Sequence, residues 1–171
     1  MDAHLELPAS PWVQRWVGWI RPGGAVLDVA CGSGRHARLL ARLGFEVDAV
    51  DRDARLFADP PPQVRLLEAD IEEGRWPYTG RRFDAIVVAN YLHRPLLPIL
   101  VDGLERGGVL VYETFAQGNE RFGKPSNPAF LLAPGELLEA VRGKLRVIAF
   151  EDVVVEEPRP AAVQRVCARR E

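Results

Sequence analysis

Three features of the sequence predict an α/β fold on a mostly parallel sheet. Strand-like and helix-like segments alternate along most of the chain, the pattern of parallel strands joined by helical crossovers. Phe83–Ala89 reads FDAIVVA, a nearly continuous apolar run such as a strand buried on both faces requires. Near the end, residues 145–157 and 162–169 are separated only by the turn Pro158-Arg159-Pro160. Strands that close together must pair antiparallel, because a parallel return needs a longer crossover.

The elements follow in order. Ser10-Pro11 reads as a helix N-cap followed by proline in the first turn. Trp12, Val13, Trp16, Val17 and Ile20 then form an apolar stripe at helical spacing, suited to packing on a sheet. Residues 25–30 are a short first strand interrupted by Asp28, and Gly32-Ser33-Gly34 follows. Residues 35–43 read as a helix with Gly44 as its C-terminal cap, its Arg35, Arg38 and Arg42 sharing a solvated face. Residues 45–50 are the second strand and end on Asp51. The connection 52–63 contains Pro60-Pro61-Pro62, which leaves no room for a full helix. Residues 64–69 are the third strand and end on Asp70, and 72–82 read as loop with at most one turn. After the FDAIVVA strand, residues 96–104 are a helix shortened by Pro98, Arg106-Gly107-Gly108 is a turn, and 109–115 are the fifth strand. A stretch rich in Gly, Asn and Pro spans 116–133, and residues 134–142 are a helix capped by Gly143.

With 171 residues, 47% hydrophobic and 27% charged, the chain suits one domain over 1–171 with a sizeable core. Its 22 Lys+Arg against 24 Asp+Glu leave a net charge of -2, without the basic excess of a nucleic-acid binder, so no nucleic-acid partner is expected. MDAHLELPASPW is acidic and broken by prolines, unlike a signal peptide. No apolar run reaches the length of a membrane helix. Cys31 and Cys167 lack metal-ligand spacing, so no metal is expected, and a reduced, cytoplasmic setting is the simplest reading.

Chemistry concentrates in residues 26–37, VLDVACGSGRHA. A strand runs into a glycine-rich turn and then a helix. Glycines let backbone approach a ligand, and the helix start offers free N–H groups. The run Gly32-x-Gly34-x-x-Ala37, with Asp51 ending the next strand, also fits a dinucleotide fingerprint. Two features favour another ligand. Asp28 would repel a pyrophosphate but attract an ammonium and a sulfonium. The chain also ends on an antiparallel pair and has no second domain for a hydride-transfer substrate.

Over essentially its whole length the chain resembles the class I S-adenosylmethionine-dependent methyltransferases. GSGRHARLLARLGFEVDAVDRD is similar to the small tellurite-resistance-type branch. The resemblance implies a Rossmann-like seven-stranded sheet, order 3-2-1-4-5-7-6, with the seventh strand antiparallel and helices on both faces. It implies S-adenosyl-L-methionine as cofactor. Ala30, Cys31, Gly32 and Gly34 would lie against its methionine part, near Asp28, and Arg35 would reach its carboxylate. Asp51, next to Arg52, would hold the ribose. Asp70 and Ile71 would meet the adenine, and Asn90, next to Tyr91, would lie under the cofactor. Alanine at position 30 departs from the glycine that many members carry.

Ligands of open parallel sheets bind outside the carboxyl ends of the strands, so the methyl acceptor is expected at 90–94, at 113–115 and along 116–133. His93 is the candidate general base by side-chain type, against a purely structural role. Arg94, Glu113, Asn119, Glu120, Arg121 and Lys124 are the candidate substrate contacts, the last four on a mobile lid. With no insertion to grip a macromolecule, a small-molecule acceptor is expected. An RNA or protein methyltransferase working with a partner, a small NAD(P)-binding oxidoreductase and a non-catalytic cofactor-binding module are the alternatives. The oligomeric state is not legible.

Overall fold

A computed structural model describes residues 7–171, so the reading of residues 1–6 lies outside it. The strands are β1 (Ala25–Val29), β2 (Glu46–Asp51), β3 (Val64–Glu68), β4 (Phe83–Ala89), β5 (Leu104–Phe115), β6 (Arg146–Val155) and β7 (Ala161–Arg169). They form one sheet in the order β3-β2-β1-β4-β5-β7-β6. β1 to β5 pair parallel, and β7 runs antiparallel to both β5 and β6. The expected topology is the observed one.

Strand alternation divides the core between two faces. On one face Val26, Val47, Ala49, Ala85, Val87 and Val109 meet Trp12, Val13 and Trp16 of α1 (Pro11–Trp16) and Ala37, Leu40 and Ala41 of α2 (Arg35–Arg42). On the other, Leu27, Val29, Ile86, Val88 and Leu110 meet Leu100 and Val101 of α3 (Leu97–Asp102) and Leu137 and Val141 of α4 (Glu136–Val141). Ser10 caps α1 by accepting the Trp12 N–H. α1 is shorter than its apolar stripe, which continues as a 3-10 turn over Val17–Trp19.

Neither connection around β3 contains an α-helix. Residues between β2 and β3 hold one 3-10 turn, Ala54–Leu56. Arg38 fastens that segment to α2: its guanidinium stacks over Phe57 at 4.8 Å and donates to the Ala58 and Asp59 carbonyls. This corrects the reading of Arg38 as part of a solvated face. On the opposite side, Asp48 of β2 is buried and receives hydrogen bonds from Arg65 (2.8 Å) and Arg81 (2.6 Å). Burial raises its carboxyl, but the two guanidiniums outweigh that and hold it below the ordinary range. Among the described residues, no helix is long and apolar enough to cross a membrane.

Arg106-Gly107-Gly108 is not a turn ahead of the fifth strand. It lies inside β5, whose pairing with β4 jumps from Phe83↔Leu104 to Ala85↔Val109. Gly107 takes φ +81 and donates to the Arg170 carbonyl. At Gly108 a Cβ would sit 2.8 Å from the Glu105 carbonyl oxygen. The glycine pair lets three extra residues bulge out while the strand resumes on either side.

Candidate active site

The carboxyl ends of β1, β2 and β4 converge with the residues that follow β3, and the site is built there. Leaving β1, the chain bends through Ala30 (φ +53) and Gly32 (φ +54) to Gly34 (φ +84), the N-cap of α2. Asn90, at the end of neighbouring β4, also holds a left-handed φ of +57. Such strain in residues other than glycine persists only where surrounding structure enforces it, and it clusters at functional sites. It also explains why glycine suits position 30. At Gly32 the space beside Cα is open, whereas at Gly34 it is filled by the Phe57 ring, 2.4 Å from where a Cβ would sit. Gly34 is therefore fixed by internal packing, and Gly32 is the open approach.

Asp51 ends β2, half-buried. Its Oδ2 accepts the Gly32 N–H at 2.8 Å and its Oδ1 the Asp53 N–H at 3.0 Å. One carboxylate thus holds the glycine turn and its own loop, with lone pairs remaining on both oxygens. Asp70 is exposed, and its Oδ1 accepts the Glu72 and Glu73 N–H groups, both at 3.0 Å. Those bonds hold its carboxyl below the ordinary range. Ile71 is buried beside it, and Arg52 is exposed. The Tyr91 hydroxyl donates to Glu72 at 3.0 Å; burial and that carboxylate push its phenol up.

Asp28 points the other way. It shares Val26's face of β1, is 1% exposed, and accepts the Ala37 N–H of α2 at 3.1 Å. Burial pushes its carboxyl up to about 7. This is a helix-capping geometry beneath the turn. Cys31 is buried, and its N–H donates to Val50 O; burial pushes its thiol up, as for a packing residue.

Two cavities meet at Asn90 and Phe115. The larger, about 580 Å³, lies between residues 7–11, the ends of β4 and β5, and the β6–β7 hairpin. Glu113 lines it and is held at both oxygens, by Ser10 Oγ (2.7 Å) and Arg165 (3.1 Å). Ser10 also donates its N–H to His36 Nε2 at 3.0 Å. Burial, with Arg35 nearby, pushes His36 down to about 4, so a neutral imidazole accepts that bond. Arg35 lines the same cavity and donates to the Pro8 carbonyl at 2.9 Å; burial lowers its guanidinium. The smaller cavity, about 330 Å³, is bounded by Glu72, Tyr91, Thr114, Pro125 and Phe130.

Residues 26–106 match the family described as methyltransferase domain. Over those residues, a little under half of the chain, it is similar to that family. It is similar to a protein-L-isoaspartate O-methyltransferase of Xanthomonas euvesicatoria, 36% identical over 118 residues, 63% of this chain and 51% of that one. In structure it is similar to TehB from Haemophilus influenzae (TM-score 0.76, 19% identity, 93% of this chain and 61% of that chain). It is also similar to an S-adenosylmethionine dependent methyltransferase from Mesorhizobium loti (TM-score 0.73, 17% identity, 94% and 96%). The chain spans about half the length of the curated relatives it matches.

The domain brings several sequence-predicted residues together: Gly32, Asp51, Asp70 and Asn90 at strand ends, with Arg35 and Glu113 on the adjoining cavity. It separates others. His93 lines neither cavity, and its Nδ1 lies 3.9 Å from Glu72. Arg94 grips Glu136 (2.7 and 3.0 Å) and the Ala129 and Leu131 carbonyls, so it fastens the loop after β5. Asn119 is 1% exposed, donating to Pro125 O and accepting the Ala162 N–H. Glu120 accepts from Gly118 N and Arg121 donates to Gly118 O, both locally. Lys124 is exposed and offers its carbonyl to Arg159. In that loop it is Pro125 and Phe130 that reach a cavity, not the four polar residues. Ser10, His36, Phe115 and Arg165 complete the larger cavity and its lock. Phe115 lies in the strand end expected from the sequence to meet the acceptor, and Ser10 carries a signal only as a helix cap, since its tie to Glu113 crosses 103 residues.

Proposed function

We propose that this domain binds S-adenosylmethionine along the open ends of β1 to β4 and transfers its methyl group to a small molecule in the larger cavity. The observation that carries the reading is the continuity of the two places. The Gly32 turn, Asp51 and Asp70 stand at successive strand ends, and the cavity begins at the next one, Asn90. The residues fit the cofactor. Gly32 leaves open space for close approach, and Asp51 retains acceptor capacity for ribose hydroxyls. Asp70 is exposed where an adenine amine would need an acceptor, with buried Ile71 supplying an apolar edge. Arg35 supplies a cation for the amino-acid carboxylate. When bound, the cofactor supplies an electrophilic methyl on a sulfonium.

The chain's own residues orient and desolvate. Residues 7–11, latched through Ser10 to Glu113 and His36, wall the cavity from solvent. Glu113 has both oxygens engaged, and His93 stands outside, so the acceptor enters as a competent nucleophile without a dedicated base. A volume of about 580 Å³ suits a small molecule. Tritiated methyl from S-adenosylmethionine, followed into metabolite, peptide and RNA fractions, tests this. Label in the metabolite fraction is expected. Label confined to protein or RNA would move the acceptor class, and no label anywhere would leave a binding module.

A further inference from the structure

The charges around the larger cavity are unevenly satisfied. Glu113 is neutralised by Arg165, which also holds Glu151 at 2.6 Å. Two lining guanidiniums, Arg35 and Arg159, have no carboxylate within ion-pair distance among the described residues. They stand apart: Arg35 opens α2, and Arg159 is at the tip of the β6–β7 hairpin. Arg35 is assigned above to the cofactor. Arg159 is exposed at the rim, and its hydrogen bond is to the Lys124 carbonyl at 3.2 Å. Glu157 lines the same end but forms no ion pair with Arg159. The same lining includes the apolar side chains of Phe115, Val155, Ala161 and Val163.

An apolar lining beside a guanidinium that pairs with no carboxylate suits a particular shape of ligand. Burying an apolar body against an apolar surface is favourable because both are removed from water. A guanidinium receives a carboxylate or phosphate through paired N–H donors. We propose that the acceptor is an anionic amphiphile, its apolar body on Phe115 and Val163 and its anionic head at Arg159. This rests on the assignment of the larger cavity to the acceptor.

Decanoate, decanol and decyltrimethylammonium, each below its micelle threshold, are suitable probes. Each is titrated by calorimetry and by amide chemical shift into the wild type and Arg159→Gln, with S-adenosylhomocysteine titrated in parallel. Decanoate should saturate, shift the amides of Phe115 and Val163, and bind about tenfold tighter than decanol. Arg159→Gln should abolish that preference and leave S-adenosylhomocysteine binding unchanged. Equal binding of the three probes, shifts confined to other regions, or a preference that survives Arg159→Gln would overturn the proposal. If decanoate binds as described but S-adenosylhomocysteine does not, the methyltransferase reading falls and the amphiphile site stands.

Discussion

Asp51 joins the glycine turn to the proposed ribose site, since its two oxygens already hold Gly32 and Asp53. Asp51→Ala removes a charged acceptor from two ribose hydroxyls. Affinity for S-adenosylhomocysteine is expected to fall by about 1.5–3 kcal/mol in calorimetry; unchanged affinity would remove Asp51 from the site. Asp28 and His36 make opposite predictions about pH. The Asp28 pKa in the fold, about 7, lies above its ordinary 3.8, so its contribution to stability is present below 3.8 and is lost as pH rises to 7. The His36 pKa, about 4, lies below its ordinary 6.5, so its contribution is present above 6.5 and is lost as pH falls to 4. Relative to wild type, Asp28→Asn should gain stability as pH rises through this window, and His36→Gln should gain as it falls. Denaturant titrations at several pH values check both, and parallel curves for all three proteins would contradict the burial argument. Gly32, Asp51 and Asp70 were legible because each is fixed by its place at a strand end. The engagement of Glu113 was not, because its partners Ser10 and Arg165 come from opposite ends of the chain. Asp28 illustrates a third case. Period-two alternation sets it on the same face as Val26, the face α2 covers.

The loop over 116–133 shows what composition conceals at the scale of an element. Its glycines and asparagines suggest mobility, yet Leu131 and Leu132 are buried, and Leu132 exchanges backbone hydrogen bonds with Phe115 and Gln117. Arg94 and Asn119 pin it at two further points. The loop is therefore a wall already in place. Amides of Gln117 and Leu132 should exchange slowly in the free protein; fast exchange that slows only with ligands would restore a moving lid. Asn119→Ala leaves the Ala162 N–H and the Pro125 carbonyl unpaired, and a loss of about 1–3 kcal/mol in unfolding free energy is expected. The strands were readable because apolar runs and alternation are local signals. The β5 bulge was not, since it depends on Gly107 meeting Arg170, a contact made only after the sheet closes.

At the scale of the whole molecule, the sheet order, the match over residues 26–106 and the strained strand ends all agree. The two closing strands supply the far wall of the larger cavity. Sequence patterning reached this architecture because each crossover length and each strand end carries its own signal. It could not reach the cavity, which exists only where residues 7–11, β5 and the closing hairpin come together. The central claim is that the groove at these strand ends takes S-adenosylmethionine rather than a dinucleotide. The most direct measurement is calorimetric titration of the wild-type chain with S-adenosylhomocysteine and, separately, with NAD. Saturable one-site binding of S-adenosylhomocysteine, weakened in Asp51→Ala, and no measurable heat from NAD are expected. Saturable binding of NAD, with none for S-adenosylhomocysteine, would contradict it.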